Sequence, residues 1–527
     1  CNYCDGIFVF KNLLFLNMKE FLKAKGIALG HWLRHEVFYK KLISPGGLIL
    51  LGIMALVCGY MSAKGFFFVP LALGIVLIGL TVLYLCLFNP LQGYFLTTII
   101  TFFIFYPGHL VGQDLPIASS FDLLFYFLTL GAMLSKKMRL ISTRHLFSTP
   151  ISIVLMFNVA AFVLEAFNPN IPNISGWTTP VRRLFSLVLV YMVSYYLIDK
   201  YWKFRVFIHL WTLLAFVAGL YAIYQQYVGY LPGEMKYIMS QPGMFELLFQ
   251  GGQFRKFSFF GDVVTYGIFS GSFGVMTLIF AINEKDKFKK RLYFVMTIVL
   301  MLGMAYSGTR TTNIILPAGV ALYGLITIRN KTTLIAVFCS ILFFMFVLFA
   351  PINSNPTLNR IRTTFDSKEE SLNVRNKNRH FIQPYMHYHP FGSGISTTGV
   401  EGNMYYPGHP LAGFPPDSGL LKTGLEMGWI GLLLHLLLNA TILYQGIYYY
   451  FKMKSRKLKV YMVAILCGLF PYMVCQFSQV AIGQLPSALL FYASMALIKR
   501  LKEYDEEGIN VEKEEEEKSK PWQLLFK

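Results

Sequence analysis

Charge is what this sequence has least of. Only 14% of its 527 residues are Asp, Glu, Lys or Arg, where a soluble domain carries about 25%. Acid is the scarcer sign, with 27 Asp and Glu against 47 Lys and Arg. A chain this poor in charge and 55% apolar is neither disordered nor able to bury its apolar surface in one soluble core. An ordinary cytosolic enzyme is thereby excluded. Cysteine is also sparse, seven in all, which excludes a disulfide-framed mini-protein. Cys58, Cys86, Cys339, Cys467 and Cys475 fall in apolar runs and read as packing residues. The lone Cys1–Cys4 pair is too little for a metal or redox site. No cleavable signal peptide is visible, and residues 1–17 precede the first methionine.

Long apolar runs are what the chain does have. Fourteen segments between residues 46 and 498 approach the length of about 20 residues that a bilayer span needs, with twelve as the alternative count. All are expected to be helices, because an open strand leaves its backbone unsatisfied in lipid. The fold expected is an all-α polytopic membrane protein. Its parts are a cytoplasmic or interfacial segment over 1–45, helices 1–11 over 46–350, and a large external loop over 351–425. Helices 12–14 over 426–498 and an acidic cytoplasmic tail over 499–527 complete it.

With the N-terminus inside, the short-loop charge clusters fall on one side, as the positive-inside rule requires. They are Lys136-Lys137-Met138-Arg139, Lys200 to Arg205, Lys285 to Arg291, Arg329-Asn330-Lys331, Lys452 to Lys459 and Lys499-Arg500. Both termini are then cytoplasmic. The segment 18–45 mixes Lys with Trp and Phe and suits an interfacial helix. The tail from Glu503 is acidic enough to be disordered.

Three regions face outside in this scheme: 230–262, 351–417, and the turn Ser307-Gly308-Thr309-Arg310-Thr311-Thr312. The second is too long for a mere connector. Charges within the spans are few, with Glu165, His209 and His435 the clear candidates, fewer than a proton-coupled transporter needs. The outer face holds 8 Arg and 6 Lys, the cytoplasmic loops from 136 to 502 hold 7 Arg and 15 Lys. Lys suffices for topology, whereas the planar Arg fork binds phosphate bidentately. An Arg-rich outer face therefore points to a phosphate-bearing ligand, although any one of these residues can instead pair with a loop carboxylate or a headgroup.

Four motifs follow in order. Arg255-Lys256-Phe257-Ser258-Phe259-Phe260-Gly261-Asp262 runs into a span, and Ser307-Gly308-Thr309-Arg310-Thr311 ends one. Ser371-Leu372-Asn373-Val374-Arg375 precedes His389-Pro390-Phe391-Gly392-Ser393-Gly394. Asp417-Ser418-Gly419-Leu420-Leu421 leads to Glu426-Met427-Gly428-Trp429-Ile430-Gly431. This order resembles the O-antigen ligase and O-antigen polymerase superfamily of bacterial membrane glycosyltransferases. The resemblance is specific over about 250–435.

The resemblance implies a GT-C-like helical fold and a glycan donor linked to polyprenyl (undecaprenyl) diphosphate on the periplasmic face. The acceptor is a second lipid-linked unit in a polymerase and lipid A-core in a ligase. It implies a metal-independent reaction without a cofactor, in which arginines hold the diphosphate and a residue of the large loop activates the acceptor hydroxyl. On this sequence the diphosphate residues are Arg310, Arg255 and Arg375. The chemistry agrees, since a diphosphate leaving group needs cations as its charge develops, and the outer segments hold no Asp-x-Asp pair for a metal. The sequence around Ser307-Gly308-Thr309 is expected to end a helix and leave backbone N–H groups exposed beside Arg310.

One departure concerns the base. Ligases place a His just ahead of the Gly-x-x-Gly helix, and here that place holds Asp417. A carboxylate can take the acceptor's proton, or Asp417 can cap the helix after Pro415-Pro416. His409 is the alternative catalytic residue. Asp417 tips the reading slightly toward polymerase, with a ligase as the alternative and a lipid-linked glycan flippase as the alternative of another class. A flippase needs a cationic cavity within the spans, which these spans lack.

The net charge of +20 divides unevenly. The stretch 503–527 carries 9 of the acidic residues and 4 of the basic ones, so residues 1–502 carry +25. Most of that is membrane topology. It does not call for nucleic acid.

Overall fold

The structure is a computed structural model that describes residues 68–113, 118–134, 146–250, 252–328 and 370–509, with a few scattered positions besides. The expected interfacial segment before residue 45, Arg360, Arg362 and Lys368 of the large loop, and most of the acidic tail lie outside the described residues.

The first helices are α1 (Phe68–Phe88), α2 (Pro90–Phe102), α3 (Tyr106–Val111), α4 (Ala118–Leu134), α5 (Pro150–Leu164), α6 (Ser175–Leu197) and α7 (Tyr201–Tyr227). The short α8 (Pro232–Ser240) and α9 (Met244–Leu248) precede a hairpin of β1 (Phe249–Gln250) and β2 (Gln253–Phe254), in which Phe249 pairs with Phe254. Then come α10 (Val263–Asn283), α11 (Lys287–Tyr306), a 3₁₀ turn (Arg310–Ile314), α12 (Ile315–Ile326), α13 (Glu370–Tyr388), α14 (Gly399–Tyr405), α15 (Gly419–Lys452), α16 (Arg456–Cys475) and α17 (Ser487–Glu506).

Among the described residues six helices are long and apolar enough to cross a membrane: Pro90–Val111, Pro150–Phe167, Tyr201–Tyr227, Val263–Asn283, Gly419–Lys452 and Arg456–Cys475. The chain is an all-α, multi-pass membrane protein. Of the fourteen expected segments, 46–63 lies largely, and 333–350 by half, outside the described residues. Six others, α1, α4, α6, α11, α12 and α17, are present as helices outside these six; α11 opens on Lys287-Phe288-Lys289-Lys290-Arg291 and α17 carries Lys499-Arg500-Leu501-Lys502 in its last turns.

The described residues divide into two compact units, one of residues up to 97 with 126–134, the other of 98–125 with those from 146 onward. In the first, α1 and the start of α2 meet closely: a Cβ on Gly93 would stand 2.7 Å from the Cα of Cys86. In the second, α10 is central. It packs against α7, α11, α12 and α16, and 89% of its most apolar stretch is buried. Its small residues allow this close approach. A Cβ on Gly267 would stand 2.4 Å from Ser307 Oγ, and one on Gly271 2.6 Å from Met304 Sδ. The span Pro150–Phe167 is the opposite case, 22% buried, and packs on α15.

Two boundaries differ from expectation. The helix expected to start at 426 starts at Gly419, because Ser418 caps it. The acidic tail was expected to be disordered from Glu503, yet α17 continues to Glu506. Its acids have partners: Glu503 accepts from Arg500 at 2.6 Å and from Tyr195 at 2.7 Å, and Asp505 accepts from the backbone of Lys454 and Ser455.

Candidate functional site

The segment after β2 is locked to the end of α11. Lys256 N–H donates to Tyr306 O at 2.9 Å. The buried Arg255 side chain does the rest: Nε donates to Ser307 O at 3.1 Å, Nη2 to Thr309 Oγ1 at 2.9 Å and Nη1 to Leu247 O at 3.3 Å. Gly308 sits between these acceptors with φ +59°, and a Cβ there would come within 3.0 Å of Arg255 Cγ. Thr309 Oγ1 also reaches Val263 O at 3.3 Å. Beside it Asp262 caps α10, accepting from Val264 N at 2.7 Å and Thr265 N at 2.9 Å. The first two sequence motifs are thus one structure. Arg310, half-buried, opens the 3₁₀ turn that follows.

Three of the amides around the expected helix end are taken up. Ser307 N–H donates to Gly303 O, Gly308 N–H to Ala305 O, and Thr309 N–H to Ser307 Oγ.

A second network reaches the same segment through Ser258. Glu234, fully buried, accepts from Leu231 N, Tyr221 Oη and Gln225 Nε2 at 2.8, 2.9 and 2.8 Å. Gln225 in turn accepts from Ser258 N at 3.0 Å. Burial raises the Glu234 carboxyl above its ordinary range and lowers the Lys256 ammonium to about 8. That ammonium lies 4.9 Å from the Tyr230 ring and 6.0 Å from the Phe254 ring.

The last two motifs also interlock. α15 is broken at Gly428, which has φ +65° and ψ −164°, a region open essentially to glycine. The break frees backbone groups, and the His389–Gly394 turn takes them up. Ser393 N–H donates to Leu425 O at 2.8 Å, Gly394 N–H to Glu426 O at 2.9 Å, and Trp429 N–H to Pro390 O at 3.0 Å. A Cβ on Gly428 would stand 2.1 Å from Pro390 O, and one on Gly392 2.4 Å from Glu426 O. Asn168 and Asn170 donate to Gly392 O from the end of the α5 span. The buried Glu426 accepts from Thr398 Oγ1 at 2.5 Å, and Lys422 binds Glu401 at 2.7 Å. These contacts hold the 395–414 lobe on the broken helix.

A short turn after α16 joins the pieces. Ser418 Oγ donates to Gln476 O at 2.9 Å and Gly419 N–H to Gln479 O at 3.1 Å. Thr311 Oγ1 and Ser478 Oγ lie 2.9 Å apart. Arg379 Nη2 donates to Phe477 O at 2.5 Å. Four residues, 476–479, therefore collect the neighbour of Arg310, the neighbours of Asp417, and Arg379. The turn also lies over His435, whose Nε2 meets Gln476 Oε1 at 2.5 Å.

Asp417 is half-buried and one residue short of the cap. Ser418 is the N-cap, its Oγ accepting from Leu421 N at 3.2 Å. This corrects the capping expectation for Asp417, whose N–H is turned back to Pro415 O at 3.0 Å. His409 Nδ1 accepts from Leu411 N at 3.1 Å, so the ring proton belongs on Nε2. Burial, and His389 nearby, hold the imidazole below its ordinary range. It is a neutral ring with its lone pair already engaged. Arg375 lies in α13 one turn before Arg379, with its side chain outside the description.

Other outer-face residues have partners. Arg182 pairs with the buried Asp122 at 2.8 Å. Tyr406 is buried, donating to Asn173 O and accepting from Gly176 N, both at 3.1 Å. Phe414 packs on Ile382, Met386, Leu411 and Leu425. Arg379 and the 476–479 turn were not singled out by the sequence. The available signal was a Phe set in the polar run Gln476-Phe477-Ser478-Gln479 between two apolar helices.

A search of curated proteins gives no match to the chain. The O-antigen ligase family profile matches residues 292–436. That stretch begins in α11 and takes in Arg310, the large loop, Asp417 and the break at Gly428. Residues 292–436 of this multi-pass membrane protein are thus similar to the O-antigen ligase family.

Proposed function

We propose that the chain transfers a glycan from a polyprenyl (undecaprenyl) diphosphate donor at the periplasmic face of the bacterial inner membrane, both termini being cytoplasmic. The observation that carries this reading is the 476–479 turn, which gathers segments bearing Arg310, Arg379 and Asp417. The acceptor hydroxyl attacks the anomeric carbon, the bond from that carbon to the phosphate oxygen breaks, and the acceptor's proton passes to Asp417. Arg310, with Arg375, meets the charge left on the diphosphate without a metal. Arg255 serves the same end by holding the turn that presents Arg310. His409 fits the base role less well, since its Nδ1 is engaged by Leu411.

Asp417 favours a polymerase, which joins one lipid-linked unit to another, over a ligase acting on lipid A-core. The test is a host deleted for the gene and complemented with the chain or with Arg310→Ala, its surface glycan run on a gel. Loss of the ladder with one unit still attached identifies a polymerase. Full-length chains left on the carrier lipid identify a ligase. An unchanged glycan with normal protein level overturns the reading. Donor accumulating on the inner leaflet identifies a flippase instead.

A further inference from the structure

We propose that Arg379 and Phe477 form a binding subsite for the phosphate-linked sugar of the donor, an inference that rests on the reading of the chain as a lipid-linked glycan transferase. Phe477 is 63% exposed although the residues before it, Cys475 and Gln476, are buried. The Arg379 guanidinium covers the ring, its carbon 4.3 Å from the centroid, while Nη2 is bonded to the backbone oxygen of the same residue. The phenyl is thus held in one orientation and still offers surface to a ligand.

Position and chemistry agree. Phe477 and Ser478 are adjacent, so their Cα atoms are about 3.8 Å apart, and Ser478 is the residue that Thr311, next to Arg310, contacts. On the other side Gln476 and Gln479 bind Ser418 and Gly419, next to Asp417. The ring belongs to the turn shared by the phosphate side and the acceptor side of the site, which is where the transferred sugar has to lie. A pyranose has an apolar C–H face that stacks on a flat ring, and a guanidinium fork suits phosphate oxygens. An exposed Phe can also rest against lipid, and the experiment separates that case.

The experiment measures binding by the full chain in nanodiscs to two probes, undecaprenyl diphosphate and undecaprenyl diphosphate bearing one N-acetylglucosamine. The wild type is expected to bind the sugar-bearing probe more tightly. Phe477→Ala weakens that probe about tenfold, a loss of roughly one stacking contact, and leaves the bare one unchanged. Phe477→Trp restores binding and Phe477→Leu does not. Arg379→Gln, which keeps a donor for the Phe477 carbonyl, weakens both probes by about tenfold. Unfolding temperatures equal to wild type show that the turn is intact, and Arg379→Lys serves if the Gln variant fails to fold. The subsite is overturned if the wild type gains nothing from the sugar, if the Ala and Gln variants bind as wild type does, or if Leu serves as well as Trp. In the last case the ring lies against lipid. A wild type that binds neither probe overturns the transferase reading and the subsite together, whereas unchanged variants of a binding wild type overturn the subsite alone.

Discussion

Arg255 Nη2 donates to Thr309 Oγ1 at 2.9 Å across 54 residues of sequence, and Thr309 is the residue before Arg310. The two arginines therefore have different jobs. Hydrogen bonds from a buried cation are worth about 1.5–3 kcal/mol each, so Arg255→Ala is expected to lower the unfolding temperature and abolish transfer. Arg255→Lys keeps the charge but cannot reach Ser307, Thr309 and Leu247 at once, and is expected to behave nearly as badly. Arg310→Ala should leave the unfolding temperature near wild type while transfer falls by about 10²–10³, the usual loss on removing one group that stabilises developing charge. A fully active Arg255→Lys protein sinks this division of labour.

The break in α15 gives the second prediction. Gly428 combines φ +65° with 2.1 Å from a built Cβ to Pro390 O. Forcing a side-chain-bearing residue into such a conformation costs about 1–3 kcal/mol, and the clash adds to it. Gly428→Ala should therefore undock the His389–Gly394 turn, with Gly392→Ala doing the same from the other side. The measure is the yield of monodisperse protein and its unfolding temperature after extraction. Gly424→Ala, whose Cβ would meet only the flexible end of the Met386 side chain at 2.6 Å, should be milder, and equal effects at 428 and 424 count against the docking argument.

Much of this site was legible in the sequence, and the parts that were not share a cause. Arg255, Gly392 and Gly428 stand in motifs because each structural role depends on its own side chain, or on having none. Their pairing could not be read, since Arg255 meets Ser307 through a carbonyl that any residue supplies. The turn 476–479 stayed hidden for the same reason, as three of its contacts run through the backbone oxygens of Gln476, Phe477 and Gln479. The cap was misplaced by one residue because Asp and Ser are both good N-caps. Apolar length found the six spans seen among the described residues but not the start of α15, which is set by Ser418.

Asp417 and Ser418, adjacent in sequence, separate chemistry from stability. Ser418→Ala removes the cap and the bond to Gln476 O, and should cost about 1 kcal/mol or somewhat more. Transfer should fall only as far as the folded fraction does. Asp417→Asn keeps the shape and removes the acceptor of the proton, so kcat should fall by about 10²–10⁴ with the unfolding temperature unchanged. If Asp417→Asn is destabilised like Ser418→Ala and fully active once folded, Asp417 is not the base.

His409 supplies a pH test of the same assignment. In the folded chain burial and His389 hold its imidazole below 6.5, while the unfolded chain titrates near 6.5. Between the two values the unfolded chain binds the extra proton, so folding stability gains as pH rises through this window. The contribution is present above about 6.5 and is lost as pH falls through the folded value, when protonation of Nδ1 displaces the Leu411 N–H. His409→Asn keeps an acceptor for that N–H but cannot titrate. Relative to this variant, the wild type should lose unfolding temperature only below about 6.5, with the two parallel above it. Activity above pH 7 then decides the base. With Asp417 in that role, His409→Asn transfers at close to the wild-type rate, whereas a fall of about 10² or more at unchanged stability moves the role to His409.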